Sequence, residues 1–421
     1  MEVVEEKFTC PAVGRLPGAE PPPWPPLLQR VETQFRRRFE QEWGGKLLTH
    51  GRVPGPEAVR LDGNDYLCVT GHPDIVQAQV QALLRNREFV VQSGVFQHDG
   101  SPTSRLEAAL AAHVGKESAL LCQSGYAANL GLIQAIADAA TPVYLDALAH
   151  MSLWEGVRAA GATGHAFRHN DVAHLARLVE RHGPGLVIVD SVYSTTGSVC
   201  PLVEVVEAAE RLGCMLLVDE SHSLGTHGPQ GRGLCAELGL TARVHFLTAS
   251  LAKAFAGRAG FFTVPAALRP FVVAHSFPGI FSSCLLPHEI SGLAATLRVV
   301  QASDAARERL RAHTRRLRAA LEDLGYPVGH GSEQIISLEA GTELATLALR
   351  DALESRGVYG AVFCAPATSR NRAMVRLTLN ASLTEAELAH VEAVARDIAP
   401  VVKPWDWAIA RRSRVRCGAG A

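Results

Sequence analysis

Unbroken apolar runs that alternate with helix-like stretches constrain this chain more than any other feature. Five such runs lie at 118–122, 142–146, 185–190, 214–220 and 243–249, and helix-like stretches include 105–114, 126–138, 171–182 and 201–212. Gly185-Leu186-Val187-Ile188-Val189-Asp190 and Cys214-Met215-Leu216-Leu217-Val218-Asp219 show no polar alternation. A strand with one wet face alternates, so these runs predict strands buried on both faces of a parallel sheet. Strand–helix–strand repetition predicts a doubly wound α/β domain. Past residue 290 the texture changes to a long helical stretch rich in Ala, Leu and Arg (288–325), followed by strands near 334–338 and 373–379. The expected organisation is an N-terminal arm and helix (1–60), a large α/β domain (61–290), a smaller C-terminal α+β domain (291–404) and a flexible basic tail (405–421). Pro21, Pro22, Pro23, Pro25 and Pro26 suit an extended arm over residues 1–30, and Arg411, Arg412, Arg414 and Arg416 suit a solvated tail.

Composition narrows the function. Lys plus Arg number 41 against 42 Asp plus Glu, a net charge of −1, so no global basic excess attracts nucleic acid or an acidic membrane. No apolar run approaches the ~18 residues that a membrane span needs. The acidic start (Glu2, Glu5, Glu6) has no apolar signal core, so a cytoplasmic location is expected. The nine cysteines are spread singly without a CxxC pair, which fits reduced thiols rather than a disulfide framework or a zinc site. No metal is expected, and no GxSxG elbow is present, because Gln123-Ser124-Gly125 lacks the first glycine.

Ligands of parallel α/β sheets sit at the C-terminal ends of the strands. The residues that follow the runs are Ser124 and Gly125; Asp146 and His150; Asp190 and Ser194; Asp219, Glu220, Ser221 and His222; and Ser250 and Lys253. Lys253 lies among small apolar residues, with His245 and Arg258 as its nearest charged neighbours in sequence. Desolvation there lowers an amine pKa and makes it a better nucleophile toward an aldehyde; the alternative is a surface lysine that snorkels. Asp219 ends a buried strand, where a carboxylate is costly without a cationic partner. A protonated pyridine nitrogen, as in pyridoxal phosphate, is one such partner; a structural cap of the next turn is the other reading. Ser124-Gly125-Tyr126 opens a helix, whose free N–H groups suit a phosphate, although Ser-Gly after a strand is also a common turn. His150 and His222 are either site residues or core histidines satisfied by the backbone.

Asp219-Glu220-Ser221-His222-Ser223-Leu224-Gly225, followed by Ser250-Leu251-Ala252-Lys253-Ala254-Phe255, resembles the α-oxoamine synthase family of pyridoxal phosphate enzymes, fold type I. Gly63-Asn64-Asp65-Tyr66-Leu67 and Gln123-Ser124-Gly125-Tyr126-Ala127-Ala128-Asn129 match its N-terminal and phosphate-loop motifs, and the likeness runs from about residue 60 to 400. Ala149-His150-Met151-Ser152-Leu153-Trp154-Glu155-Gly156, Arg181-His182-Gly183-Pro184-Gly185, 219–229 and 248–255 are closest to the branch that makes α-hydroxyketone autoinducers for quorum sensing.

The resemblance implies a large domain with a mostly parallel sheet flanked by helices, plus a smaller α+β domain. It implies that Lys253 bonds the cofactor aldehyde, Asp219 pairs with the pyridine nitrogen, His150 stacks on the ring and His222 meets the ring hydroxyl, with Ser194 close by. Ser124, Gly125, Tyr126 and Ser250 would hold the phosphate. Ser282 and Ser283 match a segment that reaches the partner subunit's phosphate, which implies a homodimer with shared sites. Asn64, Tyr66, Thr368 and Arg376 would serve the substrate. The implied reaction condenses an acyl-CoA such as decanoyl-CoA with 2-aminobutyrate or S-adenosylmethionine, with decarboxylation and CoA release. The alternatives are a housekeeping synthase that uses glycine or alanine, like 8-amino-7-oxononanoate synthase, and a weakly active cofactor-binding regulator. Two departures stand out. Ala365 occupies the place of a carboxylate-clamping arginine, with Arg370 and Arg372 nearby as possible substitutes, and Ala256 replaces a usual glycine.

Overall fold

The structure is a computed structural model that describes residues 24–85, 92–329, 331 and 334–409. The first proline triplet of the expected arm and the four tail arginines lie outside these residues. Pro25–Val31 is a helix rather than part of an extended arm. A proline at the first helical position has no N–H to lose and carries a preset φ, so it starts a helix well.

The large sheet has seven strands: β2 (Ser118–Cys122), β3 (Pro142–Asp146), β4 (Thr163–Phe167), β5 (Leu186–Asp190), β6 (Met215–Asp219), β7 (Phe246–Ser250) and β8 (Gly260–Val264). Their spatial order is β2-β8-β7-β6-β5-β3-β4. β4, β3, β5, β6 and β7 run parallel, while β8 lies antiparallel between β7 and β2. Every residue of β5 is buried, as expected for a strand covered on both faces. Register places Asp190 beside Asp219, and Asp219 beside Thr248. Three adjacent strands therefore end together at one edge.

The second sheet has the order β1-β10-β11-β9, with β1 (Val59–Leu61), β9 (Ile335–Gly341), β10 (Val358–Phe363) and β11 (Ala373–Thr378). β1 pairs in parallel with β10, so the chain before the large sheet contributes to this distant one. The stretch 288–325 is two helices, Pro287–Gln301 and Asp304–Asp323, rather than one. Among the described residues, no helix is long and apolar enough to cross a membrane.

The helix Gly125–Ile136 starts directly after β2. Ser124 caps it, its Oγ accepting from Ala127 N at 3.0 Å. Gly125 has no room for a side chain: a Cβ there would stand 2.6 Å from Ser250 Cβ. The loops after β2 and β7 are thus pressed together, which brings Ser124, Gly125 and Ser250 into one place.

Candidate active site

Lys253 follows β7 in a tight turn and is half-buried. Among the described residues its amine makes neither an ion pair nor a hydrogen bond. Burial first, and then the Arg376 guanidinium, lower its pKa from 10.5, with Asp219 opposing them. The sequence expectation of a desolvated lysine therefore holds, and a distant arginine adds to the effect.

Asp219 ends β6 and is buried. Its Oδ2 accepts from Asn129 Nδ2 at 2.7 Å and its Oδ1 from Ser221 N at 2.8 Å. Both donors are neutral amides, and among the described residues no cation bonds the carboxylate. A buried carboxylate with spare lone pairs and no counter-ion suits a cationic N–H brought by a ligand.

Two histidines flank this pair. His222 is buried; burial and then Lys253, Arg376 and His150 hold its pKa well below the ordinary 6.5, so it is neutral. Burial also raises the Tyr66 hydroxyl above its usual 10.0, so this group keeps its proton. The Tyr66 hydroxyl shares a hydrogen bond with His222 Nδ1 at 2.5 Å, which leaves Nε2 for another partner. Gln334 Nε2 holds the His222 backbone carbonyl. His150 caps the helix Met151–Ala159. Its ring is open to solvent at the cleft, but burial of the surrounding atoms still lowers its pKa, Lys253 adds to this and Asp219 opposes it. Its backbone N donates to Asp190 Oδ2 at 3.1 Å. Burial, and Asp219 next to it, push the Asp190 carboxyl well above the usual range.

Arg376, on β11, is buried. Its Nη1 donates to Ser194 O at 2.8 Å and its Nη2 to Asn64 Oδ1 at 3.0 Å, while Nε has no partner. The guanidinium carbon lies 4.7 Å from the Phe363 ring centroid. Among the described residues no carboxylate pairs with it, so it suits a small ligand's carboxylate.

The structure thus brings Lys253, Asp219, His150, His222, Tyr66, Asn64, Ser194 and Arg376 together. Ser124, Gly125 and Ser250 form a helix-start cradle that fits a phosphate. Tyr126 is 47% exposed beside it. Ser282 and Ser283 lie beside the same loop, with Gln123 Nε2 donating to Ser283 O at 2.6 Å, next to a Phe281 that is 76% exposed. Thr368 stays in its own turn, its N donating to Cys364 O at 3.1 Å and its Oγ1 buried without a partner. Arg372 does not substitute for the missing arginine: it binds Glu339, with Nη2–Oε2 at 2.6 Å. Ala365 instead offers its carbonyl to Arg38, which is itself paired with Glu343.

Two other strand-end residues are structural. Asp146 accepts from Leu148 N and Asn170 N at 2.8 Å each, and Glu220 accepts from Leu234 N at 2.9 Å and Cys235 N at 2.7 Å. Sequence reasoning assigned no role to Asn129, Ser152 or Gln334. Asn129 was detectable, since it stands one helical turn after Gly125 and so faces the same way. Among the described residues no group of three or more His, Cys, Asp or Glu side chains fits a metal.

The aminotransferase class I and II family matches residues 56–394. The chain is 45% identical to the CAI-1 autoinducer synthase of Vibrio campbellii over 86% of its own length and 92% of that protein's. It is 33% identical to the 8-amino-7-oxononanoate synthase of Anaeromyxobacter dehalogenans over 84% of its length and 89% of that protein's. The solved structure of Sphingomonas wittichii serine palmitoyltransferase aligns with TM-score 0.80 at 26% identity, covering 90% of this chain and 98% of that one.

Proposed function

The chain belongs to the aminotransferase class I and II family and, within it, to the pyridoxal phosphate-dependent α-oxoamine synthases, which are acyltransferases; on that premise we propose that it makes the aminoketone precursor of an α-hydroxyketone autoinducer in the cytoplasm. The substrates are a medium-chain acyl-CoA such as decanoyl-CoA and either 2-aminobutyrate or S-adenosylmethionine. Carbon dioxide and CoA leave. The likeness to the Vibrio protein supports the branch. The observation that carries the chemistry is the pairing of an unpartnered, desolvated Lys253 amine with a buried, cation-free Asp219 carboxylate.

These residues fit the cofactor. Lys253 Nζ would bond its aldehyde, Asp219 would meet the heterocycle nitrogen, and Ser124, Ser250 and the backbone of Gly125 and Tyr126 would take its phosphate. His150 would stack on the ring, His222 would hydrogen-bond the ring hydroxyl, and Ser194 would stand close. When bound, pyridoxal phosphate supplies the electron sink that stabilises charge at the amino acid's α-carbon.

This chain's own residues do the rest. Arg376, supported by Asn64 and with Tyr66 nearby, binds the amino acid carboxylate; Thr368 is assigned to the substrate by the family likeness alone. The freed Lys253 amine is neutral over a wider pH range than an ordinary lysine, and it takes the α-proton at Nζ. Asp219 holds a proton opposite its carboxylate at the heterocycle. Ser282 and Ser283 would reach the phosphate held by a second subunit, which would make a homodimer with shared sites.

The test supplies purified protein with decanoyl-CoA and, in turn, 2-aminobutyrate, S-adenosylmethionine, glycine and alanine. CoA thiol release and product mass are followed. Turnover with either of the first two is expected. A preference for glycine or alanine overturns the autoinducer reading in favour of a housekeeping synthase, and a cofactor-loaded protein without turnover overturns it in favour of a regulator.

A further inference from the structure

We propose that Ser152 is a positioning residue that, through Asn129, links the Asp219 carboxylate to the His150 imidazole and locks that ring in its neutral, Nε2-protonated form. The inference rests on the reading of His150 as a residue at the cofactor ring.

The chain of contacts is continuous. Ser152 N donates to His150 Nδ1 at 3.2 Å, and Ser152 Oγ stands 2.7 Å from the same nitrogen. A backbone N–H can only donate, so Nδ1 is an acceptor and carries no hydrogen. The Ser152 hydroxyl therefore also donates to Nδ1, which leaves its lone pairs free. Asn129 Nδ2 fills one of them at 2.9 Å with one hydrogen and gives the other to Asp219 Oδ2 at 2.7 Å. The reverse placement of the Asn129 amide would set its oxygen against the carboxylate, so the orientation is fixed by charge. Asn129 and Ser152 are both buried, and Asn129 Oδ1 has no partner, so this amide is spent wholly on the link.

The arrangement has a consequence for protonation. A donor to Nδ1 stabilises the neutral ring and opposes the imidazolium. The charged or titratable groups that face His150 are Lys253 after β7, Asp219 at the end of β6, His222 beyond it and Asp190 at the His150 backbone. Burial disfavours the imidazolium most, Asp219 favours it and Lys253 disfavours it, and the Ser152 hydroxyl adds to the neutral side. Keeping the ring neutral spares the cofactor face a cation that would compete with Lys253 and Arg376.

Histidine C2-proton exchange, read by mass spectrometry on the His150 peptide from pH 4 to 8, measures this directly. It is run on the cofactor-loaded and the stripped protein and needs no substrate, so its result is separate from the fate of the proposed reaction. Ser152→Ala removes only the hydroxyl and is expected to raise the His150 titration point by about half a unit to one unit. Asn129→Ala, which leaves the hydroxyl unpolarised, is expected to move it in the same direction by less. A His150 titration unchanged by Ser152→Ala overturns the proposal. Should that variant not fold, an unchanged titration in Asn129→Ala overturns it instead, and an upward shift supports it.

Discussion

Arg376 Nη2 donates to Asn64 Oδ1 at 3.0 Å, tying β11 of the second sheet to the loop that follows β1. The two residues are 312 positions apart, and the bond sets one cationic wall of the site on residues from both ends of the chain. Because this guanidinium has no acidic partner among the described residues, its replacement is expected to affect the substrate rather than the fold. Arg376→Gln should raise KM for the amino acid about tenfold or more, the equivalent of a charge-assisted hydrogen bond. Arg376 also lowers the Lys253 pKa, so the rising limb of the kcat/KM profile should shift to higher pH in this variant. Steady-state kinetics across pH check both effects, and an unmoved pH limb would remove Arg376 from the environment of Lys253.

Lys253→Ala should leave the melting curve close to that of the parent, since among the described residues the amine bonds nothing. Borohydride reduction followed by intact-mass measurement should then find no covalently attached cofactor. A label retained in the variant would place the attachment on another residue.

Ala256 adopts φ +46°, a left-handed conformation that costs a residue with a Cβ about 1 kcal/mol. Ala256→Gly relieves this strain, less the entropy that glycine gains when unfolded, for a net stabilisation of about 0.5 kcal/mol. Thermal unfolding should show a rise of roughly 1–2 °C. A lower melting temperature would mean that the turn before β8 depends on the alanine methyl.

His113 is buried beneath Arg232 and Arg307, and burial first, then those charges, lower its pKa to about 4. The unfolded chain binds this proton near pH 6.5 and the folded chain does not, so stability is complete above that pH and falls as the pH drops toward 4. Between pH 7.5 and pH 5 the wild type should lose about 2 kcal/mol more than His113→Gln, as read from denaturant titrations at the two values. Equal losses would show that the fold leaves the His113 pKa unlowered.

Much of the site was legible because it sits where local pattern and chemistry coincide. The runs that became β2, β3, β5, β6 and β7 are apolar because both faces of those strands are covered, and the residues that follow them had to lie on one edge. β4 escaped notice because most of its residues are exposed, so Thr163-Gly164-His165-Ala166-Phe167 carries no apolar signature. β8 is fully buried, yet a run of five residues with a glycine in front does not reveal its direction. The helix break at residues 302–303 interrupts a continuous helical composition, and its one local mark is Ser303-Asp304, a cap residue followed by a first-turn acid.

The sequence by itself determined the layered α/β plan and pointed to Lys253 and Asp219 as candidates, because these depend on residue type and on spacing along the chain; the roles of His150 and His222 and the missing arginine at Ala365 came from the family likeness. Only the tertiary structure decided which cation stands unpaired, that Arg372 is spent on Glu339, and that Asn129 and Ser152 join Asp219 to His150. Those outcomes depend on which hydrogen-bonding groups meet after residues far apart in sequence pack together, and that competition for partners is settled by the assembled fold.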